Sequence, residues 1–94
     1  MGRVQGEALR AAAERLGWSG DESGIAREFR FPSYEAGVGF ALAVALLAQR
    51  QNHHPDALSI GWCTVQVRYV THSQGGVTDL DLQAAEAVNQ LATA

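Results

Sequence analysis

Residues 49–81 read QRQNHHPDALSIGWCTVQVRYVTHSQGGVTDLD, and the fold turns on how this stretch is divided. Its centre is a strand. Cys63, Val65, Val67 and Tyr69 alternate with Thr64, Gln66 and Arg68, the period of two that sends one set of side chains to a core and the other to water. Upstream, Pro55 disfavours the α conformation at His54, so a helix arriving from the N-terminal side stops by about His53. The DALSIG connection accommodates a short strand near residues 58–60. Downstream, Gly75 and Gly76 would let the backbone approach a ligand closely. Thr78 is placed to cap a helix, with Asp81 at the reciprocal capping-box position and Leu80, Ala84, Ala87, Val88 and Leu91 as the core stripe. All three histidines of the chain, His53, His54 and His72, lie inside this stretch.

Working outward, residues 34–52 form a long helix, near 28 Å at about 1.5 Å per residue, with Ser33 as its N-cap. Val38, Leu42, Ala45 and Leu46 make one apolar stripe; Phe40, Val44, Leu47 and Ala48 make a second. Two apolar faces exceed what a surface helix of so small a domain needs, so one face is expected on the sheet and the other on another chain. Gly37 and Gly39 suggest close packing near its start. Before it, IAREFRF at 25–31 alternates Ile25, Arg27, Phe29 and Phe31 with Ala26, Glu28 and Arg30, a half-buried strand ended by Pro32. Trp18 and Ser19 begin its hairpin partner. Residues 4–16 carry Val4, Ala8, Ala12 and Leu16 at helical spacing, with Leu9 and Ala13 beside them and Gly17 where a C-cap tolerates positive φ. The order is α-β-β-α-β-β-α. Two hairpins separated by a helix cannot build an all-parallel sheet, so the fold class is α+β: one domain over 1–94, a four-stranded antiparallel sheet with helices packed on one face.

Composition narrows the function. Of 94 residues, 47% are hydrophobic and 18% charged, an ordinary globular balance. The net charge is −3 and the seven basic residues, all arginine, are scattered, which excludes a general nucleic-acid binder. The apolar run at 36–48 is too short for a membrane span of about twenty residues, and Gly6 stands where N-myristoylation requires Ser or Thr. A soluble, cytoplasmic protein is expected, with no membrane partner. The single Cys63 rules out an intrachain disulfide and is expected to be a buried structural thiol.

The histidines admit several readings. At the end of a helix, His53 and His54 meet carbonyls that favour a positive charge, and capping alone would account for them. Three imidazoles at the rim of a sheet also suit general acid–base catalysis without a nucleophile. A metal site is the weaker reading, because adjacent histidines seldom ligate one ion and no Cys or close carboxylate completes a common pattern. Ser73 beside His72 lacks an oxyanion elbow. Asp81 reads first as a helix cap and Trp62 first as core.

The spacing carries a resemblance. NHHP, six residues, Trp62, nine residues, His72 within THSQGG, eight residues, Asp81 is similar to the signature of the pterin-4a-carbinolamine dehydratases. LGW at 16–18, IAREFRF at 25–31 and the helix from Tyr34 extend the likeness over nearly the whole chain. The resemblance implies an antiparallel four-stranded sheet with helices on one face, dimers formed by extending the sheet, and tetramers through the long helix. It implies a hydro-lyase, 4a-hydroxytetrahydrobiopterin dehydratase, which removes water from 4a-hydroxytetrahydropterin to give quinonoid dihydropterin. That recycles the cofactor of aromatic amino acid hydroxylases, with no metal or cofactor in the enzyme. On this chain it implies His53, His54 and His72 as the catalytic centre, with His53 and His72 as acid and base and His54 mainly orienting the substrate. Pro55, Thr71, Ser73 and Gln74 would line the pterin site, with Gln49, Trp62 and Asp81 in support. One position departs: four residues before the first histidine the family usually carries a charged residue, and here stands Gln49. Weaker tuning of His53 is expected from it. The alternative is a non-catalytic binding, dimerisation or assembly module on the same fold; a third reading is a pterin enzyme tied to molybdopterin metabolism.

Overall fold

The computed structural model describes residues 2–93. In chain order the elements are α1 (Gly6–Leu16), β1 (Ser19–Asp21), β2 (Gly24–Arg30), α2 (Tyr34–Gln51), β3 (Ala57–Gly61), β4 (Thr64–Tyr69), a 3₁₀ turn (His72–Gln74) and α3 (Asp79–Thr93). The four strands form one antiparallel sheet in the order β1-β2-β4-β3. Both hairpins expected from the sequence are present, and β2 joins them by pairing with β4, Ile25 opposite Tyr69 and Phe29 opposite Val65.

Alternation sets the two faces. Val65, Val67, Tyr69 and Ile25 are fully buried and Phe29 nearly so, whereas Glu28, Arg30 and Gln66 face water. Against the buried face pack Phe40, Ala41, Val44, Leu47 and Ala48 of α2, Ala84, Ala85 and Val88 of α3, and Leu9, Ala12 and Ala13 of α1. A fully buried valine contributes about 1.5–3 kcal/mol, so Val44, Val65, Val67 and Val88 anchor the layers. Of the two stripes read on α2, the Phe40–Val44–Leu47 stripe is the buried one; Leu42 and Leu46 of the other are 60% and 54% exposed.

Several local expectations are corrected. The first helix starts at Gly6, because Val4 is drawn off to donate its N–H to the Val77 carbonyl (2.8 Å); of the residues read on its apolar side Leu9, Ala12 and Ala13 are buried and Ala8 is exposed. Cys63 belongs to the β3–β4 turn, not to the strand: its φ is +59° and it is half-buried. Trp62, read first as core, stands at the tip of the same turn, 80% exposed and stacked on Tyr34 with ring centroids 6.1 Å apart. A turn this tight keeps the alternating hydrophobicity of its strands, so the sequence pattern runs through it. Gly37 is buried against Val65 and Phe31, but Gly39 faces open space.

Candidate functional site

The end of α2, the start of β3 and the end of β4 bring the histidine-bearing segments together. Helix α2 closes on Asn52, whose φ of +53° is the left-handed conformation asparagine tolerates, and the His53 N–H returns to the Ala48 carbonyl (3.2 Å). The chain then passes Pro55 and enters the sheet where the Asp56 N–H meets the Arg68 carbonyl at 2.7 Å. Across that junction, β4 leaves the sheet through Thr71 into the 3₁₀ turn that carries His72, Ser73 and Gln74.

His53 turns inward. It is 13% exposed, lies parallel to the Tyr69 ring at 5.7 Å, and its Nε2 is 2.6 Å from Oδ1 of Asp81. Asp81 is completely buried, and its other oxygen accepts the Thr78 N–H and the Thr71 hydroxyl, both at 2.8 Å. The Thr78 hydroxyl in turn lies 2.8 Å from that of Thr71 and accepts the Leu80 N–H. The carboxylate is thus the capping-box member expected at the start of α3 and, at the same time, the partner of a histidine. Burial pushes the Tyr69 hydroxyl up to about 12, with the nearby Asp81 charge adding to the effect.

His72 lies outward. Its side chain is 77% exposed and its Nε2 is 2.6 Å from Oδ1 of Asp56. Asp56 holds Arg68 with its second oxygen (2.8 Å), and Arg68 also donates to the Ser23 carbonyl (3.0 Å). The bond from His72 keeps the Asp56 carboxyl below the usual carboxylate range; partial desolvation opposes this and the Arg68 charge reinforces it.

His54 meets neither group. Its Nε2 lies 3.2 Å from Oε1 of Gln49. The expectation that Gln49 would tune His53 is therefore redirected: the left-handed turn at Asn52 swings His53 towards Asp81 and brings His54 back over Gln49.

In each ring Nε2 is the engaged nitrogen, and Nδ1 has no hydrogen-bond partner among the described residues. A neutral imidazole that donates Nε2–H to a carboxylate presents Nδ1 as a base; the protonated ring presents Nδ1–H as an acid. The remaining candidates fall as follows. Thr71 is buried in the Asp81 cluster, Pro55 is half-buried between His54 and Asp56, and Ser73 and Gln74 are exposed beside His72. Trp62 lies at the opposite end of β4 from Thr71 and joins none of the three clusters. The glycine pair serves the chain itself: Gly75 takes φ +70° to close the 3₁₀ turn, and a side chain on Gly76 would come within 2.9 Å of the Glu22 carbonyl. Asp56 was missed by sequence reading, although its place directly after HHP and the antiparallel return of β4 to this point were both legible. Clefts elsewhere on the surface, including one of about 370 Å³ between α1 and α3, contain none of these histidines. Among the described residues no three His, Cys, Asp or Glu side chains are grouped to hold a metal ion, and no helix is long and apolar enough to cross a membrane.

Comparison with known proteins gives the family. The sequence model of the family described as pterin 4 alpha carbinolamine dehydratase matches residues 3–91. A protein of Natronomonas pharaonis, provisionally named a pterin-4-alpha-carbinolamine dehydratase, is 47% identical over 75 residues, which cover 80% of each chain. One of Prochlorococcus marinus with the same provisional name is 40% identical over 86 residues, 90% of this chain and 88% of that one. Among solved structures, a transcriptional coactivator/pterin dehydratase from Brucella melitensis superimposes with a TM-score of 0.86 at 32% identity, covering 96% of this chain and 98% of the other. A pterin dehydratase-like protein described as a RuBisCO assembly factor of the alpha-carboxysome shares the fold, with a TM-score of 0.67 at 23% identity over 80% of this chain and 86% of that one. With the family profile spanning nearly every residue and the histidine-bearing segments gathered at one end of the sheet, the chain belongs to the pterin-4a-carbinolamine dehydratase family.

Proposed function

We propose that this protein is a hydro-lyase that removes water from 4a-hydroxytetrahydropterin, giving quinonoid dihydropterin, by general acid–base catalysis from histidine. The observation that carries the reading is that His53 and His72 each rest Nε2 on a carboxylate at 2.6 Å, leaving Nδ1 of both rings for the pterin. One ring, protonated, gives its proton to the 4a oxygen as the C4a–O bond breaks; the other, neutral, takes the proton from N5 as the C4a–N5 double bond forms, and water departs. The two rings exchange roles with the stereochemistry of the hydroxyl. His54 orients the substrate, with Pro55, Thr71, Ser73 and Gln74 lining its approach. The enzyme works without a cofactor in the cytoplasm, serving an aromatic amino acid hydroxylase, and self-associates as a dimer or tetramer. The exposed Leu42 and Leu46 row supports the last point.

The same row favours a second reading, a non-catalytic binding or assembly module. Turnover of 4a-hydroxytetrahydropterin, generated in situ by a phenylalanine hydroxylase, separates the two. The dehydratase reading expects clearance well above the spontaneous rate, and loss of that excess in His72→Ala. A folded protein that only matches the spontaneous rate sinks catalysis.

A further inference from the structure

The residue that holds His72 is not part of the spaced signature. His72 projects from a short 3₁₀ turn and is largely surrounded by solvent, so its own segment does little to fix the ring. A free imidazole in such a place would sample several rotamers and both tautomers, and either loss would remove it from acid–base work. What restrains it is Asp56, reaching across the β3–β4 junction to Nε2 at 2.6 Å. Asp56 is itself restrained on its other oxygen by Arg68 at 2.8 Å, on its N–H by the Arg68 carbonyl at 2.7 Å, and in sequence by Pro55.

We infer that Asp56 is a positioning residue for His72, fixing its orientation and its Nε2–H tautomer, with Arg68 as the anchor of the carboxylate. This inference rests on the dehydratase reading for its catalytic consequence but not for its structural one. The Asp56 carboxyl is held below its ordinary range, chiefly by the bond from His72, so at neutral pH it is ionised and accepts Nε2–H. Arg68 gives the arrangement a second support: it also donates to the Ser23 carbonyl in the turn between β1 and β2. The line Ser23–Arg68–Asp56–His72 therefore ties an exposed catalytic ring to the far hairpin. A carboxylate held at both oxygens needs less ordering when substrate arrives than one free to rotate.

The test uses the full chain and two independent readouts. Imidazole ¹⁵N resonances of His72 report its tautomer without any substrate; turnover reports the consequence. In the wild type His72 is expected in the Nε2–H form when neutral, and in Asp56→Ala as a mixture. In Asp56→Ala kcat is expected to fall about tenfold or more, because one acid–base group loses its orientation, with KM changed by less than about twofold. Arg68→Met should produce a smaller loss, and the double variant should be no worse than Asp56→Ala, since Arg68 acts through Asp56. A His72 tautomer unchanged in Asp56→Ala, or a kcat equal to wild type in a folded Asp56→Ala, overturns the inference. Wild-type protein without turnover would overturn the dehydratase reading while leaving the tautomer result to decide the positional claim.

Discussion

Replacing Asp81 separates its two duties, because asparagine and alanine remove different parts of them. The buried carboxylate uses one oxygen for the Thr78 N–H and the Thr71 hydroxyl and the other for His53. In Asp81→Asn, the amide oxygen can take the first place and keep both threonine bonds, while the NH₂ group faces His53. An NH₂ can only donate, so His53 must accept through Nε2 and carry its neutral proton on Nδ1, the reverse of the arrangement a base requires. The fold loses the stronger, charge-assisted form of two bonds, about 1 kcal/mol, and a melting point lower by about 4–8 °C in a domain of this size. Turnover should fall about a hundredfold or more, the scale of a misplaced general base. In Asp81→Ala the Thr78 N–H and the Thr71 hydroxyl are left buried without their acceptor, at about 1–3 kcal/mol each. A total of about 3–5 kcal/mol is a large part of a typical stability of about 5–15 kcal/mol, so the melting point should fall by about 12 °C or more. Thermal melts followed by circular dichroism and turnover on the same samples make the comparison. An Asp81→Asn protein with wild-type turnover would refute the tautomer argument. An Asp81→Ala protein as stable as Asp81→Asn would refute the accounting of buried bonds.

Three further outcomes can be checked directly. The Tyr69 hydroxyl is buried without a hydrogen-bond partner among the described residues, so Tyr69→Phe should leave stability unchanged or raise it by up to about 1 kcal/mol in chemical denaturation at neutral pH. Because Tyr69 ionises at about 12 in the fold and near 10 when unfolded, wild-type stability is intact below about pH 10 and declines above it; the variant should lack this component of the decline. Gln49→Glu acts on the exposed His54 rather than on His53, and an exposed pair of this kind is worth at most about 1 kcal/mol, so turnover should change by less than about fivefold. Leu46→Arg, at a side chain 54% exposed in the single chain, should leave the monomer fold intact by circular dichroism and reduce the assembly state in sedimentation velocity; an unchanged sedimentation coefficient would remove α2 from the interface.

Elements whose physics is local were legible in the sequence. Val65, Val67 and Tyr69 announce a strand by period, Thr78 and Asp81 announce a helix start by spacing, and Pro55 ends the long helix within two residues of its observed last residue plus cap. Two hairpins around a helix then leave little choice of sheet. The site was legible only as a neighbourhood. Helical spacing pairs Gln49 with His53 at i and i+4, but a single left-handed residue at Asn52 breaks that relation and hands Gln49 to His54. The His72–Asp56 pair follows from the β3–β4 register, which the two-residue turn at Trp62–Cys63 fixes; placing that turn inside the strand hid the pair from the sequence reading. Trp62 and Cys63 were misread because a two-residue turn made of apolar residues leaves no gap in the pattern.

The double employment of Asp81 has a bearing on how this family diverges. A lineage released from catalysis would still be selected to keep that aspartate, because the first turn of α3 and two buried threonines depend on it. His72 carries no comparable burden: it is exposed, and its loss would leave the core intact. Drift in a member without turnover should therefore surface first at His72, while Asp81 persists as an inheritance that says nothing about whether that member turns over a pterin.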